Sequence, residues 1–309
     1  MAPKKPKKVS IKNLIVLFFA VIGVIAIIYF VYLMFAPIDY ENDYYFGDSY
    51  YFEDEYSYEE LEDICEDPSI AYIEILGEID EHRRYASEYA LTYTKDVVDQ
   101  LWTADFEDNI KGIVLYIESE GGMLASSEEI AKTVKKMSKP VVALIRNFGL
   151  SGGYLVATAA DWIIASEFSD VGSIGVIQTI VDESRRNELE GINYINITSG
   201  KFKDATLGYR PLTNEEMGIL QNDVNYANDL IIKMIAENRG LNIDDLRLIS
   251  DGRSFMGKQA LELGLIDQIG GIMEMEEWID ETLGYQEVWW SECNLSQIWE
   301  DWYTNGYEE

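Results

Sequence analysis

Two glycine-rich turns contain the residues best suited to chemistry, and each follows a β-branched run. The first turn is residues 118–122 (ESEGG), directly after GIVLYI, and the second is residues 149–154 (GLSGGY), shortly after VVALIRN. Paired glycines let backbone N–H groups approach a ligand closely, and the start of a helix adds positive potential. Ser151 in the second turn would then be a nucleophile beside an oxyanion hole. The alternative interpretation is that both glycine pairs simply form tight turns.

A nucleophilic serine needs a base, and few residues of this chain could serve. The one histidine, His82, lies in a highly charged run (GEIDEHRR) that is typical of an exposed loop. A lysine can act instead when burial disfavours its charged form. Residues 199–204 (SGKFKD) contain Lys201 and Lys203, after the strand-like run NYINIT. A loop lysine is usually a solvated charge, so the residues alone leave both interpretations open.

The elements that must position these turns alternate between strand and helix. Short β-branched runs predict buried strands, and stretches with helical spacing lie between them. The predicted strands are 70–76, 112–117, 141–145 and 162–165, and the predicted helices are 89–101, 123–137, 151–160, 183–189 and 213–239. Thr213 is the predicted N-cap of the last helix, with Glu216 as capping-box partner and Gly240 as its end. The alternation predicts an α/β domain with a mainly parallel sheet, and both glycine turns at the carboxyl ends of strands.

The composition excludes several classes of function. The 309 residues include 56 acidic and 24 basic side chains, for a net charge of −32. Such a chain repels a phosphate backbone, so nucleic acid is not an expected partner. One histidine and two cysteines are too few for common zinc sites, and no metal or cofactor is expected. Cys65 and Cys293 could form a disulfide in an oxidising compartment, pair between protomers or stay free.

Charge and hydropathy divide the chain into five parts. Residues 1–12 carry five lysines, and residues 14–36 are 23 uncharged, almost wholly apolar positions. As a helix this run would be roughly 34 Å long, enough to cross a hydrocarbon core of about 30 Å. The sequence therefore predicts a transmembrane helix with a cytoplasmic N-terminus and an exported remainder. A cleaved signal peptide is the alternative, but the apolar run is longer than such peptides need.

The exported part is predicted to consist of a stalk, a domain and a tail. Residues 37–68 hold thirteen acidic residues, seven tyrosines and no basic residue, which is typical of an extended spacer. Residues 69–284 form the predicted catalytic domain. Residues 285–309 are acidic and rich in aromatic side chains, including Trp289, Trp290, Trp299 and Trp302. This composition predicts packing, either on the domain itself or on a neighbouring protomer or the membrane interface.

Taken together, the motifs resemble the signal peptide peptidase A family, the protease IV group of serine-lysine peptidases, in its single-domain form. The matching segments are, in order, GIVLYIESEGG, LSGGYLVATAAD, VGSIGV, SGKFKD, YRPLTNEE, DGRSFMGKQALELGLID and IGG. The resemblance covers residues 113–204 and extends more loosely to residue 271. The resemblance implies a crotonase- or Clp-protease-like α/β domain, preceded here by the predicted transmembrane helix.

The resemblance also implies roles for individual residues. Ser151 matches the nucleophile and Lys203 the general base, whereas the family does not require Lys201. Ser173, in VGSIG, matches the hydroxyl that holds the lysine amine in position. The backbone N–H groups implied for the oxyanion hole are those of Gly121, Gly122 and Gly152. Two departures border the expected substrate cleft: Glu120 replaces a proline usual in the family, and residues 148–150 (FGL) replace small residues.

The function that this resemblance implies is a membrane-anchored serine endopeptidase on the outer side of the cytoplasmic membrane. Its expected substrates are hydrophobic peptides such as signal-peptide remnants, and it is expected to need no cofactor. Expected partners are the lipid bilayer, through residues 14–36, and further copies of the chain in a ring. Two alternatives keep the fold: a catalytically inactive anchored scaffold, or a crotonase-like acyl-CoA enzyme.

Overall fold

A nine-stranded sheet organises residues 69–81, 91–284 and 291–295, which are the residues that the computed structural model describes. The strands are β1 (Ser69–Asp80), β2 (Leu91–Tyr93), β3 (Ile110–Gly122), β4 (Val141–Leu150), β5 (Trp162–Ala165), β6 (Asp170–Gly172), β7 (Ser254–Met256), β8 (Gln268–Ile269) and β9 (Ser291–Asn294). The helices are α1 (Thr94–Phe106), α2 (Leu124–Val134), α3 (Gly152–Ala157), α4 (Ser184–Glu190), α5 (Asn214–Arg239), α6 (Ile243–Ile249), α7 (Gly257–Glu262) and α8 (Ile272–Leu283).

The sheet is parallel with one exception. Its main order is β2-β1-β3-β4-β5-β8, with β9 also paired to β1 and β6 also paired to β4. Only the β6–β7 pair is antiparallel among the described strands. Neighbouring parallel strands end at the same edge of a sheet, so the turns after β3 and β4 meet there. The predicted α/β domain with a mainly parallel sheet is confirmed.

Both faces of the sheet are covered, which explains why its central strands are apolar at successive positions. In β3, Ile113, Leu115 and Ile117 belong to the larger core cluster, whereas Val114 belongs to a smaller one on the other face. That smaller cluster includes Met275 and Ile279 of α8. The two clusters fix β3 and β4 on both sides, so the turns that follow them rest on a rigid base.

The long helix α5 begins and ends at the predicted residues. Thr213 Oγ1 accepts a hydrogen bond from the Glu216 amide (3.2 Å), and the Glu216 carboxylate accepts one from the Thr213 amide (2.8 Å). Gly240 follows the helix with a φ of 63°, a left-handed conformation that glycine adopts at little cost. The predicted cap residues and the predicted end are confirmed.

Two local predictions from the sequence are wrong. The helix predicted at 89–101 begins at Thr94, because residues 91–93 form β2 instead. Thr92 Oγ1 accepts a hydrogen bond from the Leu76 amide (2.7 Å) and donates one to the Leu76 carbonyl (2.9 Å). These two bonds attach the segment to β1. The strand-like run 193–198 forms no strand, since its Ile195 and Ile197 side chains are exposed and no neighbouring strand pairs with it in the described chain.

Several predicted segments lie outside the described residues. These are the basic segment 1–12, the apolar run 14–36, the stalk 37–68, His82 and the four tail tryptophans. Within the described part of the chain, no helix combines the length and the apolarity that crossing a membrane requires.

Cys293 lies buried in β9 beside β1 and is disulfide-bonded. The sequence contains one other cysteine, Cys65, which lies outside the described residues.

Candidate active site

Ser151 lies at the junction between β4 and α3 in an unusual backbone conformation. Its φ is 48° and its ψ is −117°, and in the described chain Ser173 (φ 50°) is the other non-glycine residue with a positive φ. Such conformations cost about 1–3 kcal/mol each and persist where the surrounding structure enforces them. Here the Ser151 amide donates to the Gly172 carbonyl (2.7 Å), and the Leu155 amide donates to the Ser151 carbonyl (2.9 Å). The sharp turn is therefore held by β6 on one side and α3 on the other.

The first glycine turn packs directly against Ser151. Gly121 has a φ of 97°, and a Cβ atom added there would lie 2.6 Å from the Gly152 nitrogen and 2.9 Å from Ser151 Cβ. A Cβ atom added at Gly152 would lie 2.2 Å from Ser127 Oγ and 3.3 Å from the Gly122 nitrogen. A side chain at Gly121 would push the two turns apart, and one at Gly152 would press on Ser127. The structure thus brings Gly121, Gly122 and Gly152 together around Ser151, as the sequence predicts.

The backbone amides of these glycines differ in their hydrogen bonds. The Gly121 amide donates to Ser119 Oγ (3.1 Å), and Ser119 Oγ in turn donates to the Gly77 carbonyl (2.5 Å). The Gly152 amide is in the first turn of α3, where an amide has no acceptor within its own helix. The Gly122 nitrogen lies beside Gly152, which makes the amides of Gly122 and Gly152 candidates for binding an oxyanion. Ser119, which is fully buried, was not singled out from the sequence.

Ser173 follows β6 and is held by the loop before β7. Its amide donates to the Arg253 carbonyl (3.0 Å), and its Oγ donates to the Gly252 carbonyl (3.1 Å). The Ser151 amide donates to the carbonyl of Gly172, the residue directly before Ser173. Gly172 therefore links the two serines. In the described chain, no hydrogen bond joins the Ser173 hydroxyl to a lysine.

Lys203 lies in an exposed series of turns between α4 and α5. Its amide donates to the Gly200 carbonyl (3.2 Å), but no hydrogen bond or ion pair engages its amine within the described residues. The neighbouring Lys201 forms an exposed ion pair with Glu215. The structure therefore shows the Lys203 amine free and solvent-accessible, and records no contact between it and Ser151.

The loop that carries Lys203 borders a pocket of about 660 Å³. The pocket wall includes Asn187, Tyr194, Asn196, Asp204, Tyr209 and Arg210. Tyr194 and Tyr209 stack with their ring centroids 3.7 Å apart, and Arg210 forms ion pairs with Asp204 and Glu216. The capping-box spacing predicts Glu216 as a helix cap, whereas Arg210 is not predicted from the sequence. The motif YRPLTNEE contains both residues, yet their spacing gives no sign that the two side chains meet.

The described residues include no group of three or more histidine, cysteine or acidic side chains arranged to hold a metal ion. The chemistry that the arrangement supports is nucleophilic. A serine at a strand-to-helix junction, beside two backbone amides, can attack an electrophilic carbon while the amides bind the oxygen that becomes negatively charged.

Comparisons with known proteins agree with this architecture. The profile of peptidase family S49 matches residues 133–286, and the Clp protease profile matches residues 73–164. A candidate protease of Methanocaldococcus jannaschii is 37% identical over 166 residues, which is 53% of either chain. A candidate signal peptide peptidase SppA of Enterococcus faecium is 33% identical over 179 residues, 57% of this chain and 52% of the relative. A candidate protease of Synechocystis sp. is 33% identical over 217 residues, 70% of this chain and 74% of the relative.

The parallel sheet and the serine-bearing turn define a Clp protease-like α/β protein. Within that class, the chain belongs to peptidase family S49, the serine peptidase family of the signal peptide peptidase A proteins. The resemblance inferred from the motifs is confirmed. The matched region spans about half the length of the first two relatives named above.

The close contact between the two glycine turns leads to a prediction about Gly121. Gly121→Ala should add backbone strain of about 1–3 kcal/mol and overpacking of about 1–3 kcal/mol, because its Cβ would press on the Gly152 nitrogen. Gly191→Ala is the matched control, since Gly191 also has a positive φ (70°) but nothing within 4 Å of the added atom. Thermal unfolding measures both variants, and equal losses of stability would show that the two turns are not tightly packed.

Proposed function

We propose that this chain is a serine endopeptidase in which Ser151 is the nucleophile and Lys203 the general base. The observation that carries the proposal is the strained conformation of Ser151 beside the Gly121–Gly122 turn. Strain at a residue whose side chain makes no hydrogen bond in the described chain serves no evident structural purpose. Strained residues cluster at active sites, and Ser151 lies at the edge of the sheet where ligands of parallel α/β proteins bind.

The reaction would follow from the two side chains and the two amides. Ser151 Oγ attacks the peptide carbonyl carbon while its proton moves to the neutral Lys203 amine. The carbonyl oxygen becomes an oxyanion bound by the amides of Gly122 and Gly152. When the C–N bond breaks, the leaving amine takes the proton from Lys203. Water then attacks the acyl ester while Lys203 accepts its proton, and Lys203 passes that proton to Ser151 Oγ as the ester C–O bond breaks and the acid is released.

The proposal requires the Lys203 amine to come within hydrogen-bond distance of Ser151 Oγ when substrate is bound. In the structure the amine is exposed and has no partner among the described residues. Catalytic hydrogen bonds are often long before substrate binds and tighten in the complex. Ser173 would then hold the amine, after exchanging its present bond to the Gly252 carbonyl.

The proposed substrates are extended hydrophobic peptides such as signal-peptide remnants. Two observations support this class: one relative is named as a signal peptide peptidase, and apolar side chains flank the proposed base. Phe202 is 41% exposed and Leu207 is 49% exposed on the Lys203 loop. A hydrophobic peptide that covers both side chains would also exclude water from the lysine amine.

Membrane anchoring is part of the proposal and is supported by the sequence. The lysine-rich segment 1–12 followed by the apolar run 14–36 favours one span, with the catalytic domain outside the cytoplasm. Alkaline carbonate extraction tests the anchor. The full chain should stay with the membrane, and a chain beginning at residue 69 should be released.

Association between copies of the chain is the remaining part of the proposal. The segment between β6 and α5 exposes large apolar side chains that a monomer would leave in water. Those of Ile177, Leu189, Ile195 and Ile197 are 80–96% exposed. Large exposed apolar side chains on one segment of the chain support a protein–protein interface there. Sedimentation velocity of the chain in detergent, with and without charged substitutions at these positions, tests whether copies meet through this segment.

Labelling with a serine-directed fluorophosphonate tests the proposed activity. The wild-type chain should be labelled at Ser151, and Ser151→Ala should not be labelled. Absence of labelling in the wild type would favour the inactive scaffold. A crotonase-like enzyme would instead turn over acyl-CoA in a way that does not depend on Ser151.

A further inference from the structure

The loop that carries Lys203 is not held in place by its own hydrogen bonds. Its amides make short-range turns, such as the bond from Ala205 to the Phe202 carbonyl (3.3 Å) and the bond from Leu207 to the Asp204 carbonyl (3.3 Å). These bonds join loop residues to one another, and one backbone bond, from the Glu183 amide to the Gly208 carbonyl (2.9 Å), joins the loop to the start of α4. The Lys203 side chain is exposed and adds no anchor in the described chain. Side-chain contacts next to Lys203 add to these few backbone bonds.

The next residue, Asp204, supplies the first connection. Its carboxylate is 16% exposed and accepts a hydrogen bond from Arg210 Nη2 at 2.8 Å and from Asn196 Nδ2 at 3.3 Å. Arg210 lowers the pKa of the Asp204 carboxyl below its usual value, because the guanidinium donates to the charged form. Asp204, the residue next to the proposed base, is thus held by two side-chain contacts.

Arg210 carries the connection on to the long helix α5. Its Nη1 and Nη2 donate to Glu216 Oε2 (2.9 Å) and Oε1 (2.7 Å), so it binds this carboxylate in a bidentate manner. Glu216 is 4% exposed and is the capping-box residue of α5. The other end of α5 is packed into the core through Ile232 and Ile235. A continuous path of contacts therefore runs from the core to the residue next to Lys203.

We propose that Arg210 is a positioning residue, which bridges the carboxylates of Asp204 and Glu216 and thereby holds Lys203 where its amine can reach Ser151. This inference rests on the proposed peptidase function. The planar guanidinium can serve two carboxylates at once because its donors lie in a fixed fork. A lysine at this position would keep the positive charge but would donate from a single point.

The bridge is charged throughout the pH range in which a lysine base works. Arg210 lowers the pKa of Glu216 to about 2, since both of its oxygens accept hydrogen bonds from the guanidinium. A carboxyl with a lowered pKa stabilises the folded state above its unfolded pKa, and the contribution is lost only as the pH falls toward about 2. Any change in activity between neutral and alkaline pH therefore arises elsewhere.

The kinetic test compares two neighbouring acidic residues of α5. Arg210→Met and Glu216→Gln should each lower kcat by about 10²-fold, because a displacement of about 1 Å at a catalytic group has that effect, and KM should change little. Glutamine can still act in a capping box, so Glu216→Gln retains the start of the helix. Glu215→Gln is the control: it removes the exposed Lys201 ion pair from the same loop and should keep wild-type kcat. Arg210→Lys should recover part of the loss.

A second measurement separates the bridge from the chemistry. Hydrogen–deuterium exchange is measured in a chain that carries Ser151→Ala and is expected to have no activity. Adding Arg210→Met to this chain should accelerate exchange at the amides of Lys203, Ala205 and Leu207 at least about tenfold. The same amides should be unaffected by Glu215→Gln. Unchanged exchange would overturn the proposal whatever the activity of the wild type.

The combined outcomes are distinguishable. Suppose that wild-type activity depends on Ser151 and Lys203. If Arg210→Met then accelerates exchange but leaves kcat unchanged, the positioning role is also overturned. If instead the wild type shows no such activity, the proposed peptidase function fails, and the exchange data still decide whether Arg210 holds the loop.

Discussion

Ser151→Ala is expected to lower kcat for peptide hydrolysis by at least about 10⁴-fold, in line with the loss of a nucleophile from other serine peptidases. The fold should be unaffected, for two reasons. The Ser151 hydroxyl makes no capping hydrogen bond, and the backbone bond from Ser151 to Gly172 does not involve the side chain. Alanine has the same Cβ atom as serine, so the strained φ of 48° costs the variant no more than the wild type. Steady-state hydrolysis of a hydrophobic peptide and thermal unfolding measure the two effects.

A distant serine provides the control for this variant. Ser138 lies in an exposed turn before β4, where its hydroxyl donates to Asp105 at 2.9 Å. Ser138→Ala loses that bond and should retain full activity. Residual activity of Ser151→Ala within about tenfold of the wild type would contradict the assignment of the nucleophile, provided that the preparation is free of other peptidases.

The contact between the two glycine turns could be predicted from the sequence, whereas the conformation of Ser151 could not. Alternation of strand and helix places the ends of β3 and β4 at one edge of a parallel sheet, and the register pairs Ser119 with Gly149. Serine carries no local preference for a positive φ. That conformation depends on the pairing of Leu150 with Gly172 in β6, a three-residue strand too short for the pattern to reveal.

The bridge that Arg210 forms between two carboxylates could not be predicted from the sequence either, for a related reason. Its partners Asp204 and Glu216 are each six residues from Arg210, and an irregular loop allows many arrangements at that separation. A capping box has a fixed spacing, so Thr213 and Glu216 could be predicted. The run 193–198 shows the opposite error, because its alternating residues suggested a strand although Ile195 and Ile197 face solvent. Sequence periodicity identifies apolar positions but cannot say whether a second surface covers them.

Lys203→Ala is expected to lower kcat by at least about 10³-fold, because a serine peptidase without its base retains only binding and oxyanion stabilisation. Stability should hardly change, since the Lys203 side chain is exposed and has no partner in the described chain. Lys201→Ala is the matched control two residues away, and its exposed pair with Glu215 is of a kind that contributes little. His82→Ala should be equally mild.

Lys203→Arg tests whether position 203 supplies a base or only a positive charge. Arginine stays protonated throughout the accessible pH range, so this variant should be as inactive as Lys203→Ala. In the wild type a lysine base works only when deprotonated, and kcat/KM should rise between neutral and alkaline pH. The residual activity of Lys203→Ala should lack that rise. Activity in Lys203→Arg comparable to the wild type would show that this position supplies charge and not proton transfer, and the base would then have to be sought among the groups that reach Ser151 from another direction.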